Sequence, residues 1–132
     1  MIITSTAPTR IDLAGGTVDI WPLYLFHPKA RTINIAIDQR AKVRVEHRSG
    51  MAIEIRSEDL DVSMRLTSID YVDEVEPNHP LSMVVRLLAF FRPTGSLSIT
   101  TSCMSPAGAG LGGSSSLAIA LCGAFNVLTG SK

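Results

Sequence analysis

Over the first two thirds of the chain, apolar and polar positions mostly alternate with period 2, the pattern of half-buried strands. Ile11 and Leu13 alternate with Arg10 and Asp12, Ile33, Ile35 and Ile37 with Asn34, Ala36 and Asp38, and Val43 and Val45 with Lys42, Arg44 and Glu46. Ser49-Gly50 separates this last run from Ile53 and Ile55, which alternate with Glu54 and Arg56, so a hairpin is expected there. A weaker strand is expected near Val62 to Leu66. Strands with one apolar face need a cover, and two helical patterns supply it. From Pro80, a tolerated first helical residue, Leu81, Val84, Val85, Leu88 and Phe91 recur at helical spacing until Arg92-Pro93 stops them. A short strand, Ser96 to Thr101, follows. The second helix, Leu117 to Leu128, is apolar almost all round and ends at Thr129-Gly130, so burial on most sides is expected. With neither repeats nor a linker, residues 1–132 read as one α+β domain, an antiparallel-rich sheet with helices packed on one face.

Composition narrows the partners. Apolar residues make up 45% and charged residues 18% of the 132, which excludes a disordered tail. Twelve Lys and Arg balance twelve Asp and Glu, so neither nucleic acid nor an anionic membrane surface is an expected partner. Leu117 to Leu128 is too short to span a bilayer, and the N-terminus lacks the pattern of a signal peptide. Two cysteines without a CxxC pair and three scattered histidines give no metal cluster and point to a reducing cytoplasm. The mean hydropathy of +0.26 is high for so small a domain.

The richest chemistry lies in Ser105-Pro-Ala-Gly-Ala-Gly-Leu-Gly-Gly-Ser-Ser-Ser116, between an expected strand and an expected helix. Gly108, Gly110, Gly112 and Gly113 permit φ > 0 and let backbone N–H groups converge on an anion. The helix that follows adds its positive N-terminal end. Ser114, Ser115 and Ser116 offer hydroxyls that can cap the helix, bond phosphate oxygens or ligate Mg²⁺. A phosphate cradle is favoured over a plain turn with a serine cap. The stretch satisfies GxGxxG, but a dinucleotide fold places that pattern early in a parallel sheet, with an acidic residue about twenty positions on. The P-loop pattern fails because Ser114 stands where its lysine belongs.

A second stretch, Ala7-Pro-Thr-Arg-Ile-Asp-Leu-Ala-Gly-Gly-Thr-Val-Asp19, runs a strand bearing Arg10 and Asp12 into Gly15-Gly16 and on to Asp19. It reads either as a surface strand with a tight turn or as the rim of a polyol or phosphate site.

Together the two stretches resemble the GHMP kinases, a family that includes galactokinase, homoserine kinase, mevalonate kinase and phosphomevalonate kinase. Pro-Ala-Gly-Ala-Gly-Leu-Gly-Gly-Ser-Ser-Ser resembles the family's phosphate loop, and the order of strands and helices matches its N-terminal half, a ribosomal-protein-like fold. The resemblance implies ATP- and Mg²⁺-dependent phosphoryl transfer to a small hydroxylated acceptor. The loop residues Pro106, Gly108, Ala109, Gly110, Leu111, Gly112, Gly113, Ser114 and Ser115 would hold the nucleotide phosphates. Ser114 aligns with the usual Mg²⁺ ligand, while Gly113 stands where the family often has its first loop serine. Arg10 aligns with an arginine beside the phosphoryl-acceptor hydroxyl and is the catalytic candidate. Asp19 aligns with the aspartate that bonds sugar hydroxyls, and Gly16 and Thr17 lie in the same acceptor motif.

Galactokinases carry Glu-His at the positions of Gly16-Thr17. Ala-Gly-Gly followed by Asp19 is closer to the heptose-phosphate and fucose kinase branch, so a sugar or sugar phosphate is the expected acceptor. Asp12 is either an extra acceptor contact or a plain strand-surface residue. The resemblance places a catalytic aspartate and a further glycine motif beyond residue 132. The chain is thus expected to be an N-terminal half, weak or inactive alone, whose exposed apolar surface meets a C-terminal domain or a second copy. A dinucleotide-binding oxidoreductase domain and a noncatalytic binding module of the same fold are the alternatives.

Overall fold

The computed structural model describes residues 1–16, 18 and 20–130. The chain forms β1 (Ile2–Ala14), a one-turn helix α1 (Leu23–Phe26), β2 (Ile33–Arg48), β3 (Ile53–Ser57) and β4 (Val62–Leu66). A 3₁₀ segment (Ile69–Glu74), α2 (Ser82–Phe91), β5 (Ser96–Cys103) and α3 (Gly113–Thr129) complete it. The five strands make one sheet in the order β1-β2-β5-β3-β4, antiparallel throughout except for the parallel β3–β5 pair. The α+β, antiparallel-rich architecture expected from the pattern is the one observed. No helix among the described residues is long and apolar enough to cross a membrane.

The expected Ser49-Gly50 hairpin does not form. β5 inserts between β2 and β3, pairing Val45 with Ile99 on one side and Ile55 with Ile99 on the other. The link from β2 to β3 instead wraps the end of β5, where the Leu97 N–H and the Ser96 hydroxyl both donate to the Ala52 carbonyl. Alternation records which residues face the core, and it does not record which strand lies alongside. A central β5 buries Leu97 and Ile99 fully, which an edge strand could not do.

One face of the sheet carries the buried Ala41, Val43, Val45, Ile53, Ile55, Leu97 and Ile99, and α2 and α3 lie over it. α2 supplies Val84, Val85 and Leu88 together with Leu81 just before it, and α3 supplies Ala120, Leu121, Ala124 and Phe125. α2 begins at Ser82, later than Pro80, because the His79 imidazole Nδ1 accepts the Leu81 N–H at 3.1 Å and holds the preceding turn open. Its end falls where expected, with Arg92 in the left-handed region closing the last turn onto the Leu88 carbonyl. α3 starts at Gly113, four residues ahead of the expected Leu117, so its serines form the first turn.

α3 is not buried on most sides. Ile119 and Val127 are each 66% exposed, on the flank turned away from the sheet. The tip of the β1–β2 hairpin is bare as well, since Ile11, Leu13, Ile33 and Ile35 lie beyond the reach of the helices. Ile20, Trp21, Leu23, Tyr24, Leu25 and Phe26 add further exposed apolar area beside it. High hydropathy therefore reflects both a core and an uncovered surface.

The Pro8/Thr9 step carries a register break, with Pro8 paired to Arg40 and Thr9 to Ile37. Proline has no N–H for the ladder, so an edge strand with a bulge is where it fits. The Ser116 hydroxyl donates to the Pro8 carbonyl at 2.8 Å, tying the first turn of α3 to this point of β1. Phe125→Ala is expected to lower unfolding stability by about 3–5 kcal/mol, as for a fully buried aromatic. Ser116→Ala should cost about 1 kcal/mol, the worth of one internal hydrogen bond. Chemical denaturation of the two variants checks both, and equal losses would contradict the assignment of Phe125 to the core and Ser116 to a tether.

Candidate functional site

The loop between β5 and α3 is built from alternation in the backbone. Gly108, Gly110 and Gly112 have φ of +78°, +71° and +70°. Ala109 and Leu111 between them keep ordinary negative φ, since Asp61 and Arg92 are the non-glycine residues with positive φ among those described. Such alternation turns successive N–H groups toward one concavity, the geometry of an anion nest. A Cβ on Gly108 or Gly110 would meet nothing within 4 Å, so the glycines face open space. Their φ values, and not crowding, are what require glycine there.

The loop runs directly into α3. Gly112 is the residue preceding the helix, with no side-chain cap, and the first internal bond runs from the Ser116 N–H to the Gly112 carbonyl at 2.9 Å. The N–H groups of Gly113, Ser114 and Ser115 precede that bond and are free to meet an anion at the positive end of a 17-residue helix. Ser114 and Ser115 are exposed beside them. Ser116 is buried and committed to Pro8, so it is structural. Gly113 is sterically fixed, since a Cβ there would lie 3.2 Å from Cys103 Sγ and 3.3 Å from Ser105 Oγ.

The loop from Ser105 to Ser115 lines a cavity of about 440 Å³, closed on its other side by Asp59, Leu60, Pro80 and Met83. Sequence reading missed these four. Asp59 and Leu60 sit in the β3–β4 turn and Pro80 and Met83 at the start of α2, and no local motif marks either place. The Ser57 hydroxyl donates to Asp59 Oδ1 at 3.0 Å and fixes that side of the cavity. A larger furrow of about 580 Å³ crosses the opposite, polar face of the sheet. Its depth comes from the short Ser98 and Thr100 lying between the longer Glu54, Arg56 and Arg65. Apart from Asp61 in the β3–β4 turn it is lined by strand residues, and it has neither a glycine-rich loop nor a helix terminus.

Arg10 meets the loop from the side. Its N–H, on the free edge of β1, donates to the Leu111 carbonyl at 3.0 Å. Its guanidinium lies against Gly112, where a Cβ would stand 3.1 Å from Nη1. A cation at a helix N-terminus opposes the helix dipole, so this placement favours an anion at the same spot. Asp12 Oδ1 holds Arg10 Nε at 3.0 Å.

The N-terminal motif beyond β1 turns back on itself. The Val18 N–H donates to the Gly15 carbonyl at 3.1 Å, and the Thr32 hydroxyl donates to the same oxygen. Gly15, at φ +80°, has no room for a Cβ, which would overlap the Arg31 carbonyl. Gly16 packs on the Asp12 carboxylate. Thr17 and Asp19 lie outside the described residues. The structure thus brings Arg10, Asp12, Gly16 and the loop from Pro106 to Ser115 into one region. No group of three or more His, Cys, Asp or Glu suited to a metal occurs among the described residues, and both cysteines are free.

Residues 78–132 match the model of the family described as GHMP kinases N terminal domain. Comparison with the curated proteins finds no match. Among solved structures, the D-glycero-D-manno-heptose 1-phosphate kinase from Bacteriodes thetaiotaomicron is 28% identical with a TM-score of 0.79, covering 96% of this chain and 41% of that one. The mevalonate kinase of Methanococcus jannaschii is 21% identical with a TM-score of 0.75, over 100% of this chain and 41% of that one. A Lactococcus lactis galactokinase complexed with galactose is 15% identical with a TM-score of 0.78, covering 98% and 33% respectively. The latter two share the fold, and the chain spans about two fifths or less of the length of each structure. The stretch that carries the glycine loop is thus similar to the N-terminal domain of the GHMP kinases, and the fold is shared with the heptose 1-phosphate kinase over nearly the whole chain.

Proposed function

We propose that the chain is the nucleotide-phosphate-binding half of a kinase that transfers a phosphoryl group from ATP, with Mg²⁺, to a hydroxyl of a sugar or sugar phosphate. The observation that carries this reading is the run of left-handed glycines at 108, 110 and 112, opening into the uncapped N-terminus of α3 with a guanidinium set against it. Backbone donors, a helix terminus and a fixed cation together suit a polyphosphate. A doubly wound dinucleotide fold does not suit the chain, because β3–β5 is the one parallel pair of the sheet among the described residues.

In this reading the N–H groups of the loop and of the first turn of α3 hold the β- and γ-phosphates. The Ser114 hydroxyl is the hard oxygen donor available to Mg²⁺, and the ion, when bound, neutralises charge on the phosphates. The half-enclosed space beside Leu60, Pro80 and Met83 receives the rest of the nucleotide. Arg10 stands where a cation stabilises charge developing during transfer, and catalysis by the chain's own residues is positioning and electrostatics. Asp19, with Gly16 and Thr17, is assigned to the acceptor, in keeping with the heptose 1-phosphate kinase likeness. The exposed apolar tip around Trp21 and Phe26 and the bare flank of α3 are assigned to contact with a C-terminal domain or a second copy, with a cytoplasmic setting.

The central experiment is calorimetric titration of the chain with ATP, with and without Mg²⁺. Measurable binding that strengthens with Mg²⁺ supports the kinase reading, whereas binding of NAD in place of ATP, or of neither, refutes it. Ser114→Ala is expected to reduce the Mg²⁺-dependent gain by about 1–3 kcal/mol, the scale for a lost buried polar contact. An unchanged gain would remove Ser114 as the metal ligand. In the full-length enzyme, Asp19→Asn should raise acceptor KM or lower turnover while nucleotide affinity holds, as read by steady-state kinetics with sugar phosphates as acceptors. Unaltered acceptor kinetics would take Asp19 out of the site.

A further inference from the structure

Arg10 and Asp12 are two residues apart on β1, so their side chains emerge on one face of the strand and can pair. Their pairing is specific in its atoms. Asp12 Oδ1 takes the Nε–H of Arg10 at 3.0 Å, which leaves both Nη groups without a carboxylate partner among the described residues. The guanidinium is then held through Nε, with Nη1 set against Gly112 at the start of α3. The carboxylate is itself confined. Its side chain is 25% exposed, and a Cβ on Gly16 would fall 2.8 Å from Oδ2. Glycine at 16 therefore makes space for the Asp12 carboxylate between the acceptor turn and Arg10.

The electrostatics give this arrangement a purpose. Without a ligand, the positive end of α3 repels the Arg10 guanidinium, and a solvated arginine would swing away. A confined carboxylate on the far side of the guanidinium offsets that repulsion and fixes its direction.

We infer that Asp12 is a positioning residue. It pins Arg10 through Nε so that the Nη groups stay aimed at the phosphate-binding end of α3 before any nucleotide arrives. Asp12 acts through Arg10 and touches neither nucleotide nor acceptor. The inference rests on the phosphoryl-transfer reading of the site, and it replaces the two sequence readings of Asp12, an acceptor contact or a plain surface residue.

The sign of the effect separates this role from its alternatives. An aspartate that is only a nearby negative charge weakens the binding of a polyphosphate, so its removal should tighten binding. An aspartate that positions Arg10 does the reverse. The test uses the 132-residue chain, with Asp12→Asn as the isosteric variant, Asp12→Ala as the truncation and Arg10→Ala as the reference. Two quantities are measured: the affinity for Mg·ATP and for inorganic triphosphate by calorimetry, and the Nε–Hε resonance of Arg10 by NMR.

The expected result has three parts. The Arg10 Nε–Hε signal is protected from exchange in the wild type and loses that protection in Asp12→Ala. Both Asp12 variants bind triphosphate about tenfold or more weakly than the wild type, on the scale of a charged hydrogen bond. In an Arg10→Ala background, Asp12→Ala produces no further loss, because its target is already gone.

Equal or tighter triphosphate binding by Asp12→Asn, with the wild type binding normally, overturns the positioning role and leaves the nucleotide reading standing. Additive losses in the double variant overturn it too, since Asp12 would then act independently of Arg10. If the wild type binds no triphosphate although its Arg10 signal depends on Asp12, the nucleotide reading itself fails. The ion pair is then structural only.

Discussion

The site depends on how closely α3 can lie over β1. Gly123 faces Ser5 so tightly that a Cβ would come within 2.9 Å of the serine oxygen, and Ala120 and Ala124 are buried on the same helix. A bulkier helix would be held farther from the strand. At this distance the Ser116 hydroxyl reaches the Pro8 carbonyl and the Leu111 carbonyl reaches the Arg10 N–H. The two stretches of unusual sequence, far apart along the chain, are stitched together by those two bonds. Small side chains in the middle of α3 thus decide whether its N-terminus meets Arg10 at all.

From that contact the rest of the geometry follows. The bulge after Pro8 lets β1 continue while its free edge is taken up by the loop, so an edge that would otherwise invite pairing is partly covered. The loop cannot drift, because Gly113 is wedged against Cys103 and Ser105 at its far end. Rigid ends and open glycines at 108 and 110 give a cradle whose N–H groups are oriented before a ligand is present. Pre-orientation of this kind matters where catalysis consists of holding charges in place.

Much of this was legible in the residues. Four glycines and three serines ahead of an apolar helix carry their meaning locally, since φ > 0 and an uncapped helix N-terminus are properties of a short segment. The same holds for Gly15-Gly16 after a strand. Other features were not legible. Nothing local distinguishes a Ser-Gly hairpin from a Ser-Gly crossover, because the strand that intervenes, β5, begins forty-six residues after Gly50 in the chain. Ile11 and Leu13 alternate like core residues yet stand on a bare hairpin tip, since alternation reports a face and not whether anything covers it. Asp59, Leu60, Pro80 and Met83 reach the cavity only through the packing of the β3–β4 turn and α2 against the loop.

The sequence by itself determined most of the strand and helix content and the phosphate-suited loop, because each rests on backbone preferences and side-chain chemistry within a few residues. Tertiary structure alone decided the strand order, the extent of apolar surface left open, the far wall of the cavity and the use of Asp12 to aim Arg10 at the end of α3. Those depend on distances between segments, which short-range patterning does not encode.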